Sequence, residues 1–233
     1  MRIFFIATCL LFVHISFAQK SYKDSIESYF KKYVKEHEVV TGKDKELMSF
    51  FAVSEKYRMM CRFERTINSP WFRMESSGPI KKNYRVYGII YFTINDTTVT
   101  LNVYQSQDLM ATQQYKDHLF IPFTDATTGE ETYESGRYID LEIKDIVNDK
   151  VLIDFNKAYN PYCAYVSGKY NCPIPPAENR LTVAIRAGEK AFGKSSDQLK
   201  VFLNPSSKPI GSYPNSFLAL SMMSPVFKGL FAG

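Results

Sequence analysis

Apolar and polar positions repeat with two different periods along the chain, and the change falls near residue 57. Between Tyr22 and His37, the residues Tyr22, Ile26, Tyr29, Phe30, Tyr33 and His37 recur at three- and four-residue spacing. Lys31, Lys32, Lys35 and Glu36 fall largely off that stripe, the pattern of an amphipathic helix docked by one face. Ser21 followed by Asp24 is a capping signal, so the helix is expected to run from Ser21 to about Val40. A helix lying on a membrane surface is the alternative. Thr41-Gly42-Lys43 breaks the pattern, and Asp44 to Ala52 reads as a second, short helix.

From Tyr57 the period is two. Tyr57, Met59, Cys61 and Phe63 alternate with Arg58, Met60, Arg62 and Glu64, as in a half-buried strand. Val86, Ile90, Phe92 and Ile94 share a face of the next strand, and Asn95-Asp96 suits a type I′ turn. A two-residue loop sets Phe92 against Val99, Ile90 against Leu101 and Gly88 against Val103, where the glycine admits a bulge or a neighbouring side chain. Further strands are expected at Leu119–Phe123, Gly136–Leu141, Val151–Phe155 and Leu181–Arg186. No βαβ alternation appears, so the fold is expected to be mainly β within the α+β class. It is read as an antiparallel barrel- or sandwich-like domain with N-terminal helices.

The two ends of the chain differ from this body. Arg2 precedes an apolar run, Ile3 to Phe17, and Ser16-Phe17-Ala18 places small residues at a cleavage site before Gln19. Residues 1–18 read as a secretory signal peptide, with an uncleaved anchor as the alternative. The run is shorter than the roughly 20 apolar residues of a membrane span, so no span is expected after cleavage. The expected organisation is a helical segment at 19–56, a β domain at 57–192 and a Pro-containing extension at 193–233, all in the periplasm or secreted.

Composition narrows the chemistry. The formal net charge of +5 is spread without like-charge blocks, which gives little support to nucleic acid as a partner. With 16 Tyr and 18 Phe against one Trp, the chain favours strands over a helix bundle. Only His37 and His118 remain after the leader, neither beside a G-x-S-x-G motif, and His118 reads as a loop residue. No Walker loop or Rossmann fingerprint is present, and no cofactor or metal is expected. Cys61 reads as a buried thiol, and in an oxidising compartment Cys163 and Cys172 are expected to form a disulfide. A metal pair is the alternative, although C-x8-C is not a usual zinc spacing.

Three blocks are the most informative part of the chain: DATTGEETYESGRY from Asp125, DFNKAYNPYCAY from Asp154 and CPIPPAENRL from Cys172. Together with Ala187-Gly188-Glu189, they resemble the bacterial domain of unknown function 1684 over about residues 21 to 191. The resemblance implies no reaction, because the family has none assigned. From the residues themselves, Asp154 and Asn156 share a strand face, Asn160 follows at a turn, and Arg137 and Asp140 lie on another strand. Glu178 and Arg180 enter a further strand after a Pro-rich loop. If these strand ends converge, Arg137, Asp154, Asn156, Asn160, Glu178 and Arg180 would hold a small polar or anionic ligand. Two alternatives stand beside this: a hydrolase using Asp154 and Glu178 as a carboxylate pair, or a structural envelope protein whose polar groups only brace loops.

Overall fold

A computed structural model describes residues 22–193. The leader, the Ser21 cap and the extension from residue 194 onward lie outside the described residues. Helix α1 covers residues 22–36, and its predicted stripe faces inward at Ile26 and Tyr33. The helix stops short of Val40 because the His37 side chain intervenes. Its Nδ1 accepts the Val40 N–H at 2.9 Å, which holds the chain in a turn. Instead of a second α-helix there is a 3-10 turn at Gly42–Leu47, opened by Gly42 at φ +57°.

The body is a mostly antiparallel half-barrel sheet. Its strands are β1 (Arg58–Arg65), β2 (Phe72–Arg73), β3 (Asn83–Ile94), β4 (Thr97–Ser106), β5 (His118–Phe123), β6 (Arg137–Glu142), β7 (Ile146–Val147) and β8 (Lys150–Asp154). The spatial order is β6-β5-β4-β3-β1-β8-β7, with β2 added beside β3, and a short helix α2 (Gln107–Met110) follows β4. The β3–β4 hairpin has the expected register, with Asn95 and Asp96 at φ +48° and +59°. The same turn chemistry recurs at Asn148-Asp149, which joins β7 to β8 and was not anticipated from the sequence.

Gly88 does both things expected of it. The ladder shifts register between Val86 and Gly88, so Tyr84 and Val86 face one side of the sheet and Ile90 and Phe92 the other. A Cβ on Gly88 would sit 2.3 Å from the Phe63 ring, which occupies the space a side chain would take. One face of the sheet buries Cys61, Phe63, Ile90, Leu101, Ile121 and Ile153 with Phe155 and Ile185. The other face is a layer of rings, among them Tyr84, Tyr104, Phe120, Tyr138 and Tyr159, covered in part by Tyr33 of α1. All six residues of β5 are buried, because that strand is sandwiched between the two layers.

The expected strand at Leu181–Arg186 does not form. A 3-10 turn at Ala177–Asn179 leads instead to a single parallel bridge between Thr124 and Arg180. The physical reason lies in Pro122. Strands β4 and β5 pair at Tyr104 and Phe120, and two residues further on Pro122 has no N–H to offer Asn102. The Asn179 side chain fills that gap. Its Nδ2 donates to the carbonyls of Asn102 (2.9 Å) and Pro122 (2.7 Å), while its Oδ1 accepts the Asn102 N–H (2.8 Å). A side-chain amide thus continues the ladder where the backbone cannot.

Asn179→Ala should therefore cost about 2–5 kcal/mol in urea unfolding, since three buried backbone groups lose their partner. Ala at the neighbouring exposed Glu178 or Arg180 should stay within about 0.5 kcal/mol of the parent. Equal effects at all three positions would contradict this account.

Candidate functional site

Arg137 projects from β6 on the same face as Ile139 and is almost wholly out of solvent. Its Nη2 donates to Asp125 Oδ2 at 2.7 Å and to the Ile185 carbonyl at 2.8 Å. Its Nη1 donates to the carbonyls of Ala187 and Glu189, and the guanidinium lies 5.3 Å from the Phe123 ring centroid. Asp125 in turn holds its own loop, accepting from the Thr127 N–H (2.7 Å), the Thr127 hydroxyl (2.6 Å) and the Ile185 N–H (3.2 Å). Burial pulls the guanidinium below its ordinary pKa, and the facing Asp125 carboxylate opposes that shift. This network is closed on itself.

Asp154 and Asn156 do meet, as expected, but around the N-terminal helix. The Tyr22 hydroxyl donates to Asp154 (2.9 Å), and Asn156 Nδ2 donates to the Tyr22 oxygen (3.0 Å) and to Asp154 Oδ1 (3.0 Å). Asn156 also exchanges hydrogen bonds with both backbone groups of Ser54, at 3.0 and 2.9 Å. Burial first and the Asp154 charge second raise the Tyr22 phenol. Asn160 lies elsewhere: its N–H reaches Glu189 Oε2 at 2.9 Å and its amide donates to the Lys190 carbonyl at 2.7 Å. Glu178 and Arg180 are exposed, and among the described residues no hydrogen bond or ion pair joins them to the other four. The six expected residues thus do not form one group: Arg137 and Asn160 share Glu189, through its carbonyl and its carboxylate, while Asp154 with Asn156 and the exposed Glu178 and Arg180 lie apart from them.

A second set of polar groups, which the sequence reading did not assemble, lies within the aromatic layer. His118 is not in a loop; it opens β5, buried, with Nε2 3.1 Å from Asp140 Oδ1. Tyr159 donates to the other oxygen of Asp140 at 2.8 Å. Arg137 and Asp140, three residues apart on β6, point to opposite faces, which separates the two networks. Further along the layer, Tyr165 and Tyr33 donate to Glu189 at 2.6 and 3.1 Å. Burial outweighs these donors and pushes the Glu189 carboxyl up to about 7. The His37 ring packs edge-on against Tyr165 (4.6 Å between centroids) and Tyr162 (5.7 Å). Strand alternation in β5 and β6 was the available signal for His118 and Asp140, since each falls opposite the aliphatic face.

Cys163 and Cys172 are joined by a disulfide with their Cα atoms 6.3 Å apart, so the two sulfurs bind each other rather than a metal. The bridge encloses the loop that packs on the β2–β3 connection, where Ser77 bonds the Cys172 backbone in both directions. Beside it a shallow crevice is lined by Met74, Lys82, Tyr84, Asn171 and Pro173 among others, and by none of the six expected residues. Cys61 is free and buried, its thiol pushed up to about 12 by desolvation.

Two outcomes follow from these geometries. Arg137→Met should cost about 3–5 kcal/mol, because Asp125 would be left as an unpaired buried charge; an unchanged urea midpoint would contradict the closed network. The pH dependence should reveal His37 and Glu189 acting in opposite directions. Burial and then Lys45 lower His37 to about 4, against about 6.5 unfolded, so its contribution is complete above pH 6.5 and lost as pH falls. Glu189, raised to about 7, contributes fully below its unfolded value of about 4.3, and that contribution is lost as pH rises through 7. Between about pH 4.5 and 6.5, Glu189→Gln should gain stability with rising pH relative to the parent, and His37→Asn should lose it. Parallel profiles for all three proteins would remove this assignment.

The comparisons agree with this architecture. No curated protein matches the sequence. A solution NMR structure of an uncharacterised protein of Haloarcula marismortui is similar, with a TM-score of 0.56 at 26% sequence identity, covering 74% of this chain and 96% of that one. Residues 45–190 match the family described as Protein of unknown function (DUF1684), taking in every motif block quoted above. The chain belongs to that family.

Proposed function

We propose that the protein is an exported binding domain, periplasmic or secreted, that takes a small polar ligand in the aromatic layer between α1 and the sheet. Export is supported by the leader pattern of residues 1–18 and by the Cys163–Cys172 disulfide, which suits an oxidising compartment. Among the described residues, no helix is long and apolar enough to cross a membrane.

The observation that carries the binding reading is the concentration of buried polar side chains in this one layer. His37, His118, Asp140, Tyr159, Tyr162 and Glu189 stand there among rings. An apolar site with a few convergent polar groups and displaced pKa values is the usual form of a small-molecule site. The grouping of Arg137, Asp154, Asn156, Asn160, Glu178 and Arg180 as one site is not carried into this proposal, because their contacts do not join them in one group. A carboxylate-pair hydrolase is less well supported for the same reason: Asp154 is bonded to Tyr22 and Asn156, while Glu178 is exposed and joined to neither.

The chain expressed with its own leader in a bacterium should be recovered outside the cytoplasm, beginning at Gln19 and with Cys163 and Cys172 resistant to alkylation until reduced. A reduced cytoplasmic product would overturn the export reading. Thermal-shift screening of the purified protein against sugars, small amides, carboxylates and phosphates should give a saturable rise in Tm for at least one class. No shift from any class would overturn the binding reading.

A further inference from the structure

We propose that the ligand is received by three buried hydrogen-bond donors, His37 Nε2–H, Tyr115 Oη–H and Tyr162 Oη–H, and that it presents an uncharged oxygen, a carbonyl or hydroxyl. This rests on the binding reading above and locates the contact.

All three atoms are buried and have no hydrogen-bond partner. A buried polar group without a partner costs about 1–3 kcal/mol, and such groups are few in folded proteins, so a cluster of them needs an occupant. They come from three separate stretches of chain: the end of α1, the turn before β5 and the 3-10 turn at Tyr162–Ala164. The His37 and Tyr162 rings are 5.7 Å apart.

The direction of the missing bond is fixed at His37. Its Nδ1 accepts the Val40 N–H at 2.9 Å and must therefore carry a lone pair. The neutral ring then has its proton on Nε2, which can only donate. The two phenols can donate as well, so the occupant must accept.

Charge then separates the possible acceptors. After burial, Glu38 raises both phenols and Asp140 adds to this at Tyr162, so negative charge already acts on them. Lys45 adds to burial in lowering His37, and its side chain extends to the Lys35 carbonyl. An anion placed against the phenols would meet like charge in a poorly solvated place, whereas a neutral carbonyl or hydroxyl would not. The surrounding rings of Tyr33, Tyr162 and Tyr165 would cover the apolar part of such a molecule.

Acetamide and acetate form a suitable pair of probes, nearly identical in shape and different in charge. With histidine labelled by ¹⁵N, the intact protein is titrated with each while the His37 ring signals are followed. The free protein should show the Nε2–H tautomer, and acetamide should shift His37 Nε2 saturably while acetate leaves it unmoved. Tyr162→Phe should weaken acetamide binding several-fold to about tenfold. It should leave the melting temperature of the free protein unchanged or higher, because it removes a hydroxyl that has no partner. Acetate shifting His37 as strongly as acetamide would overturn the proposal, as would a stability loss in Tyr162→Phe. So would a site holding only ordered water that neither probe disturbs. A compound from the thermal-shift screen that binds while His37 stays unmoved would overturn this placement and leave the binding reading intact.

Discussion

A guanidinium taken out of water must be surrounded by acceptors, and the burial of Arg137 imposes that demand on two other stretches of chain. Asp125 answers it with charge, and the carbonyls of Ile185, Ala187 and Glu189 with dipoles. The loop after β5, strand β6 and the irregular segment 185–189 are fixed relative to each other by this one group. A buried ion pair is costly unless its remaining valences are satisfied. Here Thr127 and the Ile185 N–H occupy the second oxygen of Asp125. The Asp125 block and the Ala187-Gly188-Glu189 motif therefore meet because they complete a single network.

That network has a consequence for the opposite face. By pinning residues 185–189, Arg137 places the Glu189 side chain among Tyr33, Tyr165 and the Asn160 N–H, all neutral donors. The guanidinium contacts the Glu189 carbonyl, while its charge is committed to Asp125. A carboxyl so placed is held up to about 7, whereas the neighbouring imidazole of His37 is held down to about 4 by the same aromatic surroundings. Burial is the largest cause of both shifts, with Lys45 adding to it at His37, and both shifts favour the neutral form. In the layer under α1, burial thus works toward the neutral forms of Glu189 and His37 alike.

The local periods of the sequence were read directly in the structure wherever one face of an element is buried. The alternation from Tyr57 to Glu64, the Asn95-Asp96 turn and the Gly88 bulge each depend on neighbours a few residues away or on one paired strand. Legibility failed where the determining partner was distant. Leu181–Arg186 has strand-like composition, yet the Asn179 amide and the Arg137 guanidinium draw its backbone away from any ladder. His118 looked like a loop residue because only tertiary packing puts a second layer over β5. For the site, residue types flagged Glu178 and Arg180, while the working residue of that triplet is the Asn179 between them.

By itself, then, the sequence determined the β-rich class, the central hairpin with its register, the Cys163–Cys172 bridge and the family motifs. Each of these is set by short-range periodicity, by turn chemistry or by residue spacing. Tertiary structure alone decided which polar residues meet. Arg137 and Asp140 differ by three positions on β6, and strand alternation sends them to opposite faces with different partners. His37 and Tyr162 carry no common motif, and only the docking of α1 beside the disulfide loop brings their rings within 5.7 Å. Side-chain direction is local, but what waits at the end of a side chain is not.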